Sequence, residues 1–278
     1  MIGQNAVQKQ INEQLSNGTF PRFSILVGPK GYGKKTLALE ISKSLCYYPT
    51  LVSDLSMSNL RDIIQMAYTT YDTQVYILAD CDYISPSAKN SLLKVLEEPP
   101  KNSYFIMTVE NINNVLSTIK SRGTIYHLNE FYSCEDLEEF AKENNYSITG
   151  TILLLADCPG DIVRLAETDV NALTEYTELV FNNIEKVSDA NAFKSAKRLA
   201  LKKDSDGLPL DLFWKMFRLL CLQHIKDDYS KYIDGLLYTN KYLNKLSVRS
   251  INKASLFDMW LLEIRYRWRA YDISRITE

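Results

Sequence analysis

A glycine- and lysine-rich turn between a buried strand and a helix constrains the fold of this chain more than any other feature. The apolar run Phe23–Val27 leads into residues 28–36 (GPKGYGKKT), and a helical pattern continues over residues 36–45. Glycines let backbone N–H groups turn inward around phosphate oxygens, and the N-terminus of the following helix adds the positive end of its dipole. The segment therefore predicts a phosphate-binding loop. Its candidate nucleotide contacts are Gly28, Gly31, Gly33, Lys34, Lys35 and Thr36.

Strand and helix patterns alternate over roughly the first 130 residues. Near-continuous apolar runs indicate strands that are covered on both faces, as in a parallel sheet. Amphipathic stretches between them indicate helices, which predicts an α/β layered domain with a parallel sheet. The expected strands are 23–27, 74–80, 103–109 and 124–128, and the expected helices are 4–16, 36–45, 58–68 and 87–96.

The strand signals stop after this domain. Three short helices are expected over residues 134–144, 149–156 and 160–166, and residues 133–169 carry two basic and nine acidic side chains. The rest of the chain has a helical pattern with breaks at 207–209 and near Ser247. Aromatic residues recur at helical intervals, which predicts the core of a helix bundle rather than a base-stacking platform. These residues are Phe213, Trp214, Phe217, Trp260, Tyr266 and Trp268.

Composition narrows the class of protein. Of the 278 residues 46% are hydrophobic and 24% are charged, which excludes a largely disordered chain, and the net charge of −2 excludes a uniformly basic nucleic-acid binder. No apolar run is long enough to span a bilayer, so no membrane association is expected. Five scattered cysteines without a CxxC pair argue against a disulfide framework or a zinc site. The start of the chain does not resemble a secretory signal, and we expect a cytoplasmic protein.

Two positions depart from the pattern of a phosphate-loop ATPase. The residue after Lys34 is normally Ser or Thr, whose hydroxyl binds Mg²⁺, whereas this chain has Lys35, whose ammonium group cannot ligate a cation. The strand over 74–80 should end in Asp-Glu, but residues 79–82 read ADCD. Asp80 is open to three interpretations: a shortened water-activating acid, a displaced metal ligand or an N-cap. We expect ATP or ADP binding, question Mg²⁺ ligation and favour loss of catalysis.

A family resemblance comes from several segments in the same order. Residues 90–100 (NSLLKVLEEPP) closely resemble the NALLKxLEEPP signature of bacterial clamp-loader ATPases, the gamma and delta-prime subunits of DNA polymerase III. Residues 2–4 (IGQ) are similar to the opening box of that family. Residues 119–123 (IKSRG) resemble its IxSRC element, with Gly123 in place of Cys, and residues 160–164 (GDIVR) resemble its second sensor. The resemblance covers about residues 1–170.

The resemblance implies an AAA+ phosphate-loop domain over residues 1–132, a small helical lid over 133–169 and an all-α collar for oligomerisation over 170–278. It implies nucleotide sensors at Thr108 and Arg164. Arg122 would reach in trans to the phosphates of a neighbouring subunit as an arginine finger, a role that suits a planar guanidinium.

In the register of the family Ala79 takes the place of the Mg²⁺-binding Asp, and Asp80 takes that of the catalytic Glu. The zinc module of the family is missing, so neither zinc nor any other metal site is expected. These departures are more similar to the non-hydrolysing delta-prime subunit than to the gamma motor.

The implied function is a clamp-loader subunit that helps to load a sliding clamp onto primed DNA. The implied partners are a gamma-like ATPase, a delta-like subunit, the clamp and primer–template DNA. Lys89, Lys94 and Lys101 are candidates for contacts with DNA phosphates, and solvated helix lysines are an equally good interpretation. Three alternatives stay open: a gamma-like motor with unusual metal ligation, a stand-alone DNA-remodelling ATPase, and a scaffold that binds neither nucleotide nor DNA.

Overall fold

The chain divides into two compact units. The computed structural model describes residues 3–46, 48–128, 131–186, 209–246 and 252–276. Unit 1 comprises Met1–Ser147 and Asp157–Ile162, and unit 2 comprises Ile148–Ala156 and Val163–Glu278.

Unit 1 alternates strands and helices. Its strands are β1 (Phe23–Val27), β2 (Thr50–Val52), β3 (Gln74–Leu78), β4 (Ser103–Val109) and β5 (Thr124–His127). Its helices are α1 (Asn5–Ser16), α2 (Lys34–Leu45), α3 (Met57–Thr69), α4 (Pro86–Glu97), α5 (Ser117–Lys120) and α6 (Cys134–Glu143). Serine caps fix where two helices begin, because the Ser56 hydroxyl accepts the Asn59 N–H and the Ser85 hydroxyl accepts the Ala88 N–H.

The strands form one parallel sheet in the order β2-β3-β4-β1-β5. Strand β1 pairs with β4 and β5, and β3 pairs with β2 and β4. Parallel strands need crossover connections that cover the faces of the sheet, and every residue of β1 is accordingly buried. The carboxyl ends of β1, β3 and β4 lie at the same edge, so the loops that follow these three strands are neighbours.

Each face of the sheet has its own apolar core. Ile25 and Phe105 pack on one face with residues of α3 and α4. Leu26 and Ile106, the next residues along the same strands, pack on the other face with residues of α1 and α2. Successive side chains of a strand point to opposite faces, so the continuous apolar runs in the sequence supply both cores at once.

The loop after β1 contacts the beginning of helix α8 (Pro159–Ala166). Gly160 donates its backbone N–H to the Gly31 carbonyl at 3.1 Å. A Cβ added to Gly160 would lie 2.5 Å from Gly31 Cα, and one added to Gly31 would lie 2.6 Å from Cys158 Sγ. The two backbones approach this closely only because both positions are glycine.

Unit 2 is helical in its described residues. It contains α7 (Gly150–Leu155), the end of α8, α9 (Val170–Asn183), α10 (Leu210–His224), α11 (Tyr229–Lys245) and α12 (Lys253–Ile276). Helix α10 packs against α7, α9 and α11, and α11 packs against α12.

Aromatic side chains form the core of this bundle. The rings of Phe217 and Trp260 meet edge to face, with centroids 4.8 Å apart, and the Trp260 indole N–H donates to Thr239 Oγ1 at 3.0 Å. The prediction of a bundle core is confirmed for five of the six aromatic residues: Phe213, Trp214, Phe217, Trp260 and Trp268. It is wrong for Tyr266, which is 79% exposed.

The predicted elements agree with the structure except for two short ones that the sequence did not predict. The α/β fold with a parallel sheet is confirmed, and the expected helices and strands are present with small shifts at their ends. The two elements without a prediction are β2, a three-residue strand at the sheet edge, and the four-residue helix α5. The expected helix breaks at 207–208 and near Ser247 lie outside the described residues.

The division into a phosphate-loop domain, a lid and a collar stays a prediction. Residues of the expected lid are shared between the two units, because 133–147 and 157–162 belong to unit 1 and 148–156 and 163–169 to unit 2. None of the described helices combines the length and apolar composition that crossing a membrane requires.

Two glycine substitutions test the close approach of the loop to α8. Gly160→Ala should lower the free energy of unfolding by about 1–3 kcal/mol, because its new methyl group would meet the rigid backbone of Gly31. Gly150→Ala is the matched control: nothing lies within 4 Å of its added Cβ, and stability should stay within about 0.5 kcal/mol. Urea denaturation of both variants measures the difference. Equal stabilities would contradict the packing described.

Candidate functional site

The phosphate-type loop is formed at the carboxyl end of β1. Gly31 and Gly33 have φ values of 85° and 80°, a backbone conformation that favours glycine. Gly33 is the residue that precedes α2, and the Gly28 N–H donates to the Val109 carbonyl at the end of β4. Thr36 lies exposed in the first turn of α2. The geometry therefore provides a glycine turn that leads into a helix N-terminus, the arrangement that receives phosphate groups.

Lys34 lies inside this loop. Its Nζ donates to the Gly28 carbonyl at 2.5 Å and to the Pro29 carbonyl at 2.8 Å, and only 6% of the residue is exposed. Burial lowers the pKa of the Lys34 ammonium, and nearby carboxylates, Glu110 foremost, oppose the shift. The ammonium thus lies against carbonyl oxygens in the position from which it could reach a phosphate.

The neighbouring Lys35 pairs with the acid that follows β3. Lys35 Nζ lies 2.7 Å from Asp80 Oδ2, and both side chains are about half exposed. Asp80 has a left-handed backbone with φ 55°, and its N–H donates to Thr108 Oγ1 at 3.0 Å. Its carboxylate does not cap the turn that follows. The structure therefore brings together Lys35, Asp80 and Thr108 from α2, the end of β3 and β4.

Asp82, two residues further on, has a structural role that the sequence did not reveal. Its carboxylate accepts the backbone N–H groups of Glu110 at 2.6 Å and Asn111 at 2.9 Å, and the residue is buried. These bonds fix the loop after β4 to the loop after β3. The sequence shows two acids just beyond a strand, Asp80 and Asp82. Nothing in it distinguishes the buried acid from the other.

These side chains do not fit a divalent cation. Mg²⁺ binds oxygen ligands, yet an ammonium group stands at the usual hydroxyl position and Ala79 at the usual carboxylate position. Asp80 contacts Lys35, and Asp82 contacts backbone N–H groups. Among the residues that the structure describes, no group of three or more His, Cys, Asp or Glu side chains could hold a metal ion.

Aromatic packing supports the loop from one side. The rings of Tyr32 and Tyr132 meet edge to face at 5.2 Å, and the Tyr132 hydroxyl donates to the Tyr32 carbonyl at 3.3 Å. The buried Gln4 side chain donates to the same hydroxyl at 2.9 Å. The pKa of Tyr32 is raised to about 12, chiefly because its hydroxyl is buried. Gln4, from the IGQ segment, therefore supports the loop through Tyr132, a contact that the sequence did not predict.

Arg122 lies after α5 and is held within its own chain. Its guanidinium forms an ion pair with Glu97 of the LEEPP segment and donates to the Thr118 carbonyl. The side chain is about one third exposed. A Cβ at the next residue, Gly123, would lie 2.8 Å from the Phe23 ring and 2.9 Å from Ile25 Cγ1. Phe23 and Ile25 thus fill the space that a larger residue at this position would need.

Two of the remaining candidates have contacts of their own. Lys89 donates to the Asn114 carbonyl at 2.7 Å, whereas Lys94 and Lys101 are exposed. Arg164 belongs to unit 2, where its Nη2 lies 2.6 Å from Asp211 Oδ2. The DNA and sensor roles of these four residues stay predictions.

Sequence comparison relates the chain to replication proteins. Residues 52–132 match the profile of the family described as DNA polymerase III, delta subunit. DNA polymerase III subunit gamma of Buchnera aphidicola subsp. Schizaphis graminum is 27% identical over 66% of this chain and 59% of its own length. DNA polymerase III subunit tau of Bacillus subtilis is 25% identical over 44% of this chain and 27% of its own length. The chain spans at most about half the length of most of these curated relatives.

Structural comparison supports the same fold. A DNA polymerase III gamma subunit-related protein of Thermotoga maritima covers 93% of this chain and 99% of its own, with a TM-score of 0.56 and 14% identity. At this identity the likeness concerns the fold alone. Together with the sequence matches and the parallel sheet that carries a glycine loop, this fold relates the chain to the bacterial clamp-loader AAA+ proteins.

Proposed function

We propose that this chain is a delta-prime-type clamp-loader subunit, which binds ATP or ADP without hydrolysing it and supplies Arg122 to a neighbouring ATPase subunit. One observation carries the proposal: the glycine loop is formed with Lys34 inside it, while Lys35, the next residue, forms an ion pair with Asp80. The other members of the complex would be a gamma-like ATPase and a delta-like subunit, and the substrates a sliding clamp and primer–template DNA.

Nucleotide binding is supported by the shape and charge of the loop. The positive φ values of Gly31 and Gly33 turn the backbone at the N-terminus of α2, and Lys34 lies within it. On nucleotide binding, phosphate oxygens would replace the carbonyl oxygens of Gly28 and Pro29 as acceptors for Lys34. That exchange favours binding because a phosphate carries full negative charge and a carbonyl only a partial one.

Hydrolysis would lack the groups that it needs. A phosphate-loop ATPase uses a metal ion to neutralise charge on the phosphates and an acid or amide to position the attacking water. Here Ala79 offers no ligand, and the carboxylate of Asp80 is paired with an ammonium at 2.7 Å. With its carboxylate engaged by Lys35, Asp80 would not position a water molecule, and the site would bind nucleotide without turnover.

Arg122 would act on the phosphates of a neighbouring subunit. It follows a short helix, and its guanidinium is held by Glu97 and by the Thr118 carbonyl. The ion pair is partly exposed, and such pairs contribute little stability. A partner's γ-phosphate could therefore compete with Glu97 for the guanidinium, whose planar fork matches phosphate oxygens.

Unit 2 would provide the collar that holds the subunits together. Its described helices pack around an aromatic core and carry exposed apolar side chains on their outer surfaces, among them Leu222, Leu237 and Met259. Packing of these side chains against other subunits would remove apolar surface from water, which favours association.

A gamma-like motor is the second candidate, because several of the matched relatives are named gamma. It would require Asp80 to leave Lys35 and bind a metal ion. Turnover by the isolated chain separates the two candidates.

The isolated chain should bind nucleotide and should not turn it over. Lys34→Ala should weaken binding of a fluorescent ADP analogue by about tenfold or more, because the only buried cation of the loop is lost. Lys43→Ala, in the last turn of α2, removes an exposed charge from the same helix and should bind as the wild type does. Turnover at about 1 s⁻¹ or faster that disappears in Lys34→Ala would contradict the proposal.

Arg122→Ala should lower the clamp- and DNA-stimulated ATPase of the reconstituted loader by several-fold. The loss should be smaller than the roughly 10³–10⁵ that such arginines contribute to one site, since only the site facing this subunit is affected. Arg122→Lys should restore little, because the ammonium lacks the bidentate fork.

Gel filtration should show that each reconstituted loader is completely assembled. Two control variants accompany the ATPase measurement. Glu97→Gln removes the intrachain partner and leaves the arginine, so ATPase activity should be retained. Arg61→Ala removes an exposed arginine from α3 and should change nothing. Equal rates for wild-type and Arg122→Ala loaders would contradict the role in trans.

A further inference from the structure

The position of Lys35 is electrostatically unfavourable for helix α2. Lys34 and Lys35 are its first two residues, and the first turn contains no acidic side chain. Cations near a helix N-terminus oppose the helix dipole, which favours negative charge there. Bound phosphate would compensate the charge of Lys34. The charge of Lys35 is compensated instead by the Asp80 carboxylate, which its ammonium contacts.

The carboxylate of Asp80 is held for this contact by its backbone. Asp80 has φ 55° and ψ 50°, a left-handed conformation that is unfavourable for residues other than glycine and tolerated by Asp and Asn. The hydrogen bond from its N–H to Thr108 Oγ1 at 3.0 Å ties this turn to β4. The ion pair is thus set between fixed points on α2 and at the end of β3.

We propose that the Lys35 ammonium replaces the divalent cation of this site, so that the loop binds a nucleoside di- or triphosphate without Mg²⁺. This inference rests on the proposed nucleotide binding and concerns whether that binding requires Mg²⁺. An ammonium is a compact charge with three donors, and the contact with Asp80 uses one of them. The other donors suit phosphate oxygens at the helix N-terminus.

The Lys35 ammonium would account both for nucleotide binding and for the lack of hydrolysis. Lys35 adds one positive charge to that of Lys34, the lysine that a phosphate loop carries in any case. An ammonium has no coordination shell in which a water molecule could be held and oriented, which is part of what a catalytic metal contributes. A loop of this kind holds the phosphates and leaves the γ-phosphate bond intact.

The test is the affinity for a fluorescent ADP analogue, measured for the full chain in EDTA and in millimolar Mg²⁺. Wild-type affinity should be the same in both buffers within about threefold. Lys35→Thr should bind about tenfold or more weakly in EDTA, because one charged contact is lost, and should recover in Mg²⁺, because the hydroxyl is a metal ligand. Lys43→Thr has the same charge change at the other end of α2 and should behave as the wild type does.

Each outcome decides between the proposals. Wild-type binding that needs Mg²⁺ would overturn this inference and leave nucleotide binding standing. An absence of binding in both buffers would overturn nucleotide binding and this inference with it. Electron paramagnetic resonance of Mn²⁺ with ADP gives a second measurement: protein-bound Mn²⁺ is expected in Lys35→Thr and not in the wild type. A bound signal in the wild type would also overturn the inference. The side chain of Lys35 is half exposed and Lys43 is exposed, so Lys35→Thr and Lys43→Thr should both fold.

Discussion

The three strands β3, β4 and β1 stop beside one another at one edge of the sheet in unit 1. This parallel pairing decides which polar groups can meet. The residues after β1 form the glycine loop, Asp80 follows β3, and Thr108 lies next to last in β4. Because the strands are in register, the N–H of Asp80 reaches the Thr108 hydroxyl and the N–H of Gly28 reaches the Val109 carbonyl. The apolar cores on both faces hold this edge in place and contribute nothing to its chemistry.

The charged side chains of the site lie at this same edge of the sheet. Two lysines begin α2, one buried in the loop and one at its surface, and three acids surround them. Asp82 is fixed by backbone N–H groups, Asp80 pairs with Lys35, and Glu110 opposes the effect of burial on the pKa of Lys34. These contacts leave the Lys34 ammonium at the start of α2 and engage the carboxylates of Asp80 and Asp82 with other partners than a cation. We infer from this that the site favours phosphate over metal.

Most of the fold could be predicted because long apolar runs leave few alternatives. Phe23–Val27 is buried throughout and Ser103–Val109 is buried except at Tyr104, so both sequences are nearly continuous apolar runs. Strand β2 was missed because it has only three residues and lies at the sheet edge, where Leu51 is 47% exposed. Tyr266 lies at a helical interval from buried aromatic residues but on the outer face of α12, and periodicity alone does not fix the width of a buried face.

The site could be predicted at the level of motifs but not of partners. The loop glycines and Lys34 are recognisable because the backbone conformation and the charge dictate the residue types. The pairing of Arg122 with Glu97, and of Gly31 with Gly160, depends on how distant segments pack. No spacing in the sequence encodes such contacts, and the buried role of Asp82 was overlooked for the same reason.

We propose that this chain contributes to a clamp loader without hydrolysing nucleotide itself. The steady-state ATPase of a complex reconstituted with a gamma-type ATPase tests this, with the phosphate-loop lysine replaced by alanine in one subunit at a time. We expect turnover to be lost when the lysine of the partner is replaced and to persist when Lys34 is replaced. Turnover that is lost with Lys34→Ala in a fully assembled complex, and persists with the partner variant, would contradict it.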